Sequence, residues 1–158
     1  MTNLQKGRLI ALLLPSALIA GALGSQFIGG LYPCEMCHWQ RWPHYDAILI
    51  AALAFIPRDP PIQRLLVVLA AIAIAASGLI GVFHAGVEYG WWKGVTQCSV
   101  VSGEAGVDTL AEILAAPLIR CDQAPWTLFG ISLAGYNAIF SLGGAALILY
   151  LCFKHDQK

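Results

Sequence analysis

Hydrophobic residues in this chain are gathered into four long blocks rather than spread in the alternation of a half-buried strand. No charged residue occurs from Leu9 to Pro33, from Leu65 to Phe83 or from Trp126 to Phe153. Each run suits the roughly 20 apolar residues with which a helix crosses a bilayer. A fourth block, Cys37 to Pro57, is long enough but carries Arg41, His44 and Asp46 near its start, so only its second half is cleanly apolar. An open strand edge cannot be satisfied in lipid, so all four blocks are predicted as helices. The expected fold is all-α: an integral membrane four-helix bundle forming one domain over residues 1–158. Its spans are placed near 9–31, 37–57, 65–84 and 126–153, with outer connections at 32–36 and 85–125. The first block, with Lys6 and Arg8 before it and small residues at Ala20 to Ala22, also has features of a signal peptide. It is longer than a signal core and is read as a span.

Charge sets the expected orientation. Lys6 and Arg8 precede the first span, Arg58 and Arg64 flank the turn between the second and third, and Lys154 and Lys158 follow the fourth. The connection 85–125 has only Lys93 and Arg120 against Glu88, Glu104, Asp108, Glu112 and Asp122. Basic residues collect on the cytoplasmic side, so both termini are expected inside. Tyr32, Trp39, Trp42, Tyr45, Tyr89, Trp91, Trp92 and Trp126 fall near the outer span ends, as an interfacial belt would. Within the outer connection, Val107, Leu110, Ile113, Leu114 and Leu118 recur at helical spacing opposite Asp108 and Glu112. This pattern predicts a short amphipathic helix on the membrane surface. With 58% apolar and 11% charged residues and a net charge of zero, a soluble domain is a poor reading. A nucleic-acid partner is excluded by the lack of a basic field.

The same topology sorts the five cysteines. Cys34, Cys37, Cys98 and Cys121 fall on the outer side, where cysteines in even number are usually disulfides. Cys152 lies alone at the cytoplasmic end of the last span and reads as a small buried apolar residue. Cys98 with Cys121 would close a loop of about two dozen residues, which by itself is a plain structural staple. Cys34 and Cys37 differ, because a two-residue separation at a helix start lowers a thiol pKa and favours exchange. Cys37, deeper in the first turn, gains more from the helix dipole. Arg41, four residues on, would stabilise a Cys37 thiolate if the helix runs through both; its bland alternative is an interfacial arginine that snorkels. Pro43 leaves open a helix that kinks, or even starts, at that point.

Other chemistries compete for these residues. Cys34 to His38 spells C-x-x-C-H, the attachment signature of c-type haem, but it sits in a short connection with no soluble domain to bury the ring. Zinc could be held by Cys34, Cys37, Cys98 and Cys121, with His84 as a further ligand, yet only one close cysteine pair is present. A non-catalytic protein stapled by two disulfides would explain the oxidation but not the placement of Arg41. Neither haem nor metal is expected.

Pro33-Cys34-Glu35-Met36-Cys37 followed by Gln40-Arg41, a third span ending near His84, and a long outer loop with Cys98 and Cys121 before Pro125-Trp126 together resemble the bacterial disulfide bond formation protein B (DsbB) family. The resemblance covers essentially the whole chain. It implies an inner-membrane thiol:quinone oxidoreductase that reoxidises the periplasmic thiol oxidase DsbA and hands the electrons to ubiquinone or menaquinone. By position, Cys98 is similar to the cysteine attacked by the reduced partner, and Cys121 to the one that returns electrons to Cys34. Cys37 would face the quinone with Arg41 beside the ring, and His84 is similar to a histidine placed near the quinone.

Overall fold

The computed structural model describes residues 1–95, 99–100 and 118–154. Four helices dominate: α1 (Asn3–Phe27), α2 (Glu35–Leu53), α3 (Pro60–Glu88) and α4 (Leu133–Phe153). Two short antiparallel ladders complete it, β1 (Ser99–Val100) with β2 (Leu118–Ile119), and β3 (Thr127–Leu128) with β4 (Ile131–Ser132). The stretch expected to form an amphipathic helix lies outside the described residues, apart from Leu118, whose backbone pairs with Val100.

Local chemistry sets the helix ends. Thr2 and Gln5 form a reciprocal capping box at the start of α1. Pro60 and Pro61 begin α3, where a missing N–H costs nothing. Ser132 Oγ accepts the Gly135 N–H at 3.1 Å to open α4. That last helix starts seven residues into the apolar block, because Thr127 to Ser132 first turn back as a hairpin. Phe129 (φ 50°) and Gly130 (φ 77°) form its tip. Tyr89 at the end of α3 ties the hairpin down, its hydroxyl donating to the Gly130 carbonyl at 3.0 Å and accepting the Ser132 N–H at 2.9 Å.

Two prolines lie inside helices, and near each one a hydroxyl binds the carbonyl three residues before it. Pro15 removes a backbone donor from α1, and Ser16 Oγ donates to the Leu12 carbonyl at 2.7 Å. Pro43 does the same in α2, and Ser77 Oγ of α3 donates to the Gln40 carbonyl at 2.7 Å. The helix therefore runs through Pro43, which places Arg41 one turn after Cys37 on a continuous α2.

Packing is small inside and large outside. The buried face of α3 is Ala70, Ala71, Ile74, Ser77, Gly78, Gly81 and Ala85, and that of α4 is Ala134, Ala138, Ser141 and Ala145. Leu65, Ile72, Leu79, Ile139, Leu147 and Tyr150 face outward. Small residues at interfaces let backbones approach where lipid supplies no hydrophobic drive between helices. Three helices, α1, α3 and α4, are long and apolar enough to cross a membrane; α2, with Glu35, Arg41 and Asp46, is the polar member. The molecule is an all-α membrane bundle.

Contacts fix the helix directions. The side chain of Asn3 donates to the Lys154 carbonyl and Arg8 donates to the Ala54 carbonyl, so the start of α1 and the ends of α2 and α4 share one end. Cys152 is buried there, its sulfur facing Gly7 in a cluster with Ala11 and Ile148. Arg8, Arg58, Arg64 and Lys154 belong to this end, and Cys34, Cys37 and Cys121 to the opposite one.

A Cβ added at Gly81 would stand 3.0 Å from the Ala134 carbonyl oxygen and 3.1 Å from the Ala138 nitrogen, both backbone atoms of α4. Gly81→Val should destabilise the protein by about 1–3 kcal/mol through overpacking. Gly143→Val, where the space is open, should cost far less. Thermal unfolding of both variants in detergent checks this, and equal melting temperatures would contradict it.

Candidate functional site

The candidate active site forms where α2 begins. Cys34 is the N-cap of α2, and its sulfur accepts the Cys37 N–H at 3.3 Å. The residue that usually caps a helix with oxygen is here a thiol, so the cap and the reactive group are one side chain. Cys34 Sγ donates to Cys37 Sγ at 3.0 Å. Cys34 is only 5% exposed and packs in a cluster with Met36, Val87 and Cys121. The hydrogen bond to Cys37, followed by burial, pushes the Cys34 thiol far above the ordinary thiol range.

Behind the sulfurs lies a polar network drawn from three helices. Asn137 of α4 donates through Nδ2 to the Ser77 carbonyl at 3.2 Å and to Gln40 Oε1 at 2.8 Å. The carbonyl can only accept, so the amide orientation of Asn137 is determined, and that of Gln40 follows. Gln40 Nε2 then donates to the Met36 carbonyl at 3.3 Å and to His84 Nδ1 at 2.7 Å. His84 must carry its proton on Nε2, which faces Cys34 Sγ at 3.5 Å and Glu88 Oε1 at 3.7 Å.

Cys37 lies between two clefts. The first, about 270 Å³, runs between α1, α2 and α4 and is mostly apolar, with Leu18, Ile19 and Phe140 among its walls. Cys37, Gln40, Arg41, His44 and Asn137 supply its polar groups. Arg41, 9% exposed, donates to Gln26 Oε1 at 2.7 Å and to the Ala22 carbonyl at 3.3 Å, which anchors its guanidinium to α1. The second cleft, about 260 Å³, is bounded by Cys34, Cys37, His84, Ile119 and Arg120. Arg120 there forms a two-pronged ion pair with Asp122 at 2.8 and 2.6 Å, exposed enough to contribute little to stability.

Cys34, Cys37, Cys121 and Arg41 are thus gathered at one end of the bundle. Cys98 lies outside the described residues; in the sequence it immediately precedes Ser99, which pairs with Ile119. His84 borders the second cleft with Cys34, while Arg41 borders the first. Sequence reasoning missed Gln40, His44, Glu88 and Asn137 as members of the site. Glu88 had a legible signal, one helical turn after His84; the others come together only through tertiary contacts.

Cys34 Sγ, Cys37 Sγ and a ring nitrogen of His84 lie within 4.8 Å of one another. Thiolates bound to tetrahedral zinc stand about 3.8 Å apart, given Zn–S bonds near 2.3 Å. The 3.0 Å sulfur separation is shorter and suits two cysteines that exchange a bond with each other.

Fold and site together define a helical membrane protein built around a cysteine pair for disulfide exchange. The family of disulfide bond formation protein DsbB matches residues 5–151, and the chain belongs to it. It is 27% identical over 154 residues to disulfide bond formation protein B 2 of Pseudomonas syringae pv. syringae, covering 92% of this chain and 86% of that protein. It is 26% identical over 145 residues to disulfide bond formation protein B of Marinobacter nauticus, covering 83% and 81%. An uncharacterized protein of Rickettsia prowazekii is 24% identical over 131 residues, covering 80% and 73%. No solved structure matches the chain. The family identifies a disulfide-forming oxidoreductase of the membrane, and neither it nor the geometry supports a haem-attachment reading of Cys34 to His38.

In the reduced protein, a neutral alkylating reagent at neutral pH should label Cys37 well before Cys34. A raised thiol pKa keeps Cys34 protonated as pH rises, so its labelling should appear only in alkaline solution. Mass spectrometry of the peptide carrying both residues reads the order, and equal rates at neutral pH would refute it.

Proposed function

We propose that this protein reoxidises a DsbA-like periplasmic thiol oxidase and passes the electrons to a quinone of the membrane pool, ubiquinone or menaquinone. The observation that carries the reading is the position of Cys37 between two clefts, one shared with Arg41 and the other with Cys34 and the Cys121 segment. The first cleft suits a substrate with an apolar ring and polar oxygens: its walls are aliphatic and aromatic, and its polar groups converge from α2 and α4. Arg41 and His84 are the residues assigned to the quinone by resemblance, and the cleft favours Arg41 for direct contact.

The exchange proceeds as a chain of displacements. A partner thiolate attacks Cys98 Sγ, the Cys98–Cys121 bond breaks, and Cys121 leaves as a thiolate. Cys121 attacks Cys34 Sγ, the Cys34–Cys37 bond breaks, and Cys37 leaves as a thiolate. Contact of Cys121 with Cys34 supports the second step. The β1–β2 pairing supports the first, because it joins the two ends of the outer loop beside Cys98 and Cys121 in the sequence. The partner's second thiol then displaces Cys98, and the partner leaves as a disulfide. Cys98 attacks Cys121 and releases Cys34. The Cys34 and Cys37 thiols give two electrons and two protons to one quinone, which becomes the quinol as their disulfide re-forms.

Energetics require such an acceptor. A structural disulfide typically has a potential below about −300 mV, whereas a DsbA-like oxidant stands near −120 mV. Oxidising the partner with an ordinary disulfide would be uphill by roughly 180 mV, about 8 kcal/mol for two electrons.

The same reading puts the protein in the bacterial inner membrane with both termini cytoplasmic. Arg8, Arg58, Arg64 and Lys154 at the end opposite the cysteines support it. The lipid bilayer, the quinone pool and the thiol oxidase are its partners.

Purified protein given reduced DsbA and a soluble quinone analogue should bleach the quinone absorption catalytically; no bleaching would overturn the reading. Cys98→Ser and Cys121→Ser should abolish that turnover yet still form the Cys34–Cys37 disulfide when quinone is added. Thiol trapping reads this, and a pair that stays reduced in Cys98→Ser would show that the two pairs do not act in series.

Arg41→Lys keeps the charge and loses the planar fork of donors. Its apparent KM for quinone should rise about tenfold, the scale of one lost charge-assisted hydrogen bond. An unchanged KM in titrations of both Arg41→Lys and Arg41→Ala would reduce Arg41 to an anchor for α1.

A further inference from the structure

Cys34 is a sulfur whose surroundings oppose its own departure. In the exchange described above it has to leave the Cys34–Cys121 disulfide as a thiolate, yet it is 5% exposed and packed among Met36, Val87 and Cys121. The Cys37 sulfur and burial both disfavour a negative charge there, and a thiol that resists ionisation is a slow leaving group. Two N–H groups face it. One is the Cys37 backbone at 3.3 Å. The other belongs to His84, whose Nε2 stands 3.5 Å from the sulfur. The direction of this second contact is set at the far side of the ring. Gln40 Nε2 meets the Met36 carbonyl at 3.3 Å and Gln40 Oε1 meets Asn137 Nδ2 at 2.8 Å, so both ends of the amide are assigned independently. The amide therefore donates to His84 Nδ1, 2.7 Å away, and the ring proton is on Nε2. Glu88 Oε1 lies 3.7 Å from the same nitrogen, too far for a hydrogen bond to oxygen. The Cys121 backbone also approaches the ring. Among the described residues, Cys34 Sγ is the acceptor within hydrogen-bond distance of Nε2.

We propose that His84 is a catalytic residue of the disulfide exchange, a fixed N–H donor to the Cys34 sulfur as that sulfur leaves Cys121, with Gln40 as the positioning residue that sets its tautomer. The assignment rests on the exchange relay read above, and it takes His84 to the thiol side, whereas resemblance puts it near the quinone. In the step concerned, the Cys98 thiolate attacks Cys121 Sγ. The Cys98–Cys121 bond forms, the Cys34–Cys121 bond breaks, and its electron pair stays on Cys34. No electron enters or leaves the protein, and the proton that Cys98 gave up on ionising balances the one that later restores the Cys34 thiol. His84 steadies the thiolate and keeps its own proton. It is no proton carrier, because Nε2 is already occupied and a proton on Nδ1 would face the Gln40 N–H. The titratable groups about the ring are Cys34 and Cys37 of α2, Cys121, and Glu88 of α3 itself. Tyr32 and Arg120 border the same cleft, and the Arg120 guanidinium is committed to Asp122. α4 reaches the ring through Asn137 and Gln40.

The test uses full-length protein in detergent, oxidised at both cysteine pairs, mixed with reduced DsbA and quenched in acid at intervals. Alkylation and peptide mass spectrometry then count the molecules that carry the Cys34–Cys121 disulfide. In His84→Leu that species should decay about tenfold more slowly than in the wild type, the scale of one hydrogen bond to a charged group. His84→Gln, whose amide can donate, should recover most of the rate. In steady-state turnover with decylubiquinone, His84→Leu should keep the wild-type kcat/KM for quinone, which reports the quinone half-reaction alone and shows that the variant is folded. One readout needs no variant: nitrogen-15 histidine spectra of the wild type should show neutral His84 with its proton on Nε2. Equal decay in His84→Leu and wild type overturns the assignment, as does a neutral ring protonated on Nδ1. No recovery in His84→Gln makes the ring a packing group and overturns it too. A lowered kcat/KM for quinone beside normal decay places His84 at the acceptor and likewise overturns it. A wild type in which reduced DsbA generates no Cys34–Cys121 species overturns the relay reading and this inference with it.

Discussion

A side-chain amide buried in an apolar bundle has to find every partner inside the protein, and the contact between Asn137 and Gln40 is where this constraint is met. Gly81 makes it available, since the absence of a Cβ there lets α4 approach α3 closely enough for Asn137 to reach Ser77. Once Asn137 faces the Ser77 carbonyl, no free choice of donor or acceptor is left along the chain from Cys34 through His84, Gln40 and Asn137 to His44. Helix packing in one place thereby sets protonation at two histidines on opposite sides of Gln40. The low dielectric that strengthens each bond in such a network also makes each broken one costly.

Pro43 belongs to the same arrangement. By removing a backbone donor from α2 it would leave that helix weak next to the cysteine pair. The Ser77 hydroxyl closes on the Gln40 carbonyl, and Asn137 in turn donates to that hydroxyl. The Gln40 carbonyl, three residues before the proline, is thereby held by α3, and the network uses the contact. From sequence alone Pro43 looked like a threat to the alignment of Cys37 and Arg41. In the fold it lies one turn below a continuous first stretch of α2, and the alignment stands.

α1, α3 and α4 were legible because charge is confined to their ends, whereas α2, with Arg41 and Asp46 inside it, was legible from the length of its block. The hairpin at Thr127 to Ser132 was not, since Phe129 and Gly130 sit inside an uncharged run whose hydropathy matches that of the helix after it. The cysteines and Arg41 were legible as a motif, because they are near neighbours on one helix. The polar network was hidden: Ser77 lies 37 residues from Gln40 and Asn137 lies 97 residues from it. Neither residue type announces a role by spacing, as Ser and Asn are common satisfiers in helices. His44 entered the sequence reading only as a polar interruption at the start of α2, which was right about hydropathy and silent about chemistry.

Cys37 lies between two clefts, and the fold keeps the polar groups of the two apart. Disulfide exchange proceeds between sulfurs, needs contact and thiolates, and is served by Cys34, Cys121 and the Nε2 of His84 on the side of the second cleft. The first cleft is mostly apolar and holds Arg41 and His44. With Gln40 and Asn137 between them, His84 and His44 are linked only through amides, which transmit orientation but do not pass a proton readily at neutral pH. Cys37 is then the cysteine that borders both clefts, and the two histidines lie on different sides of it.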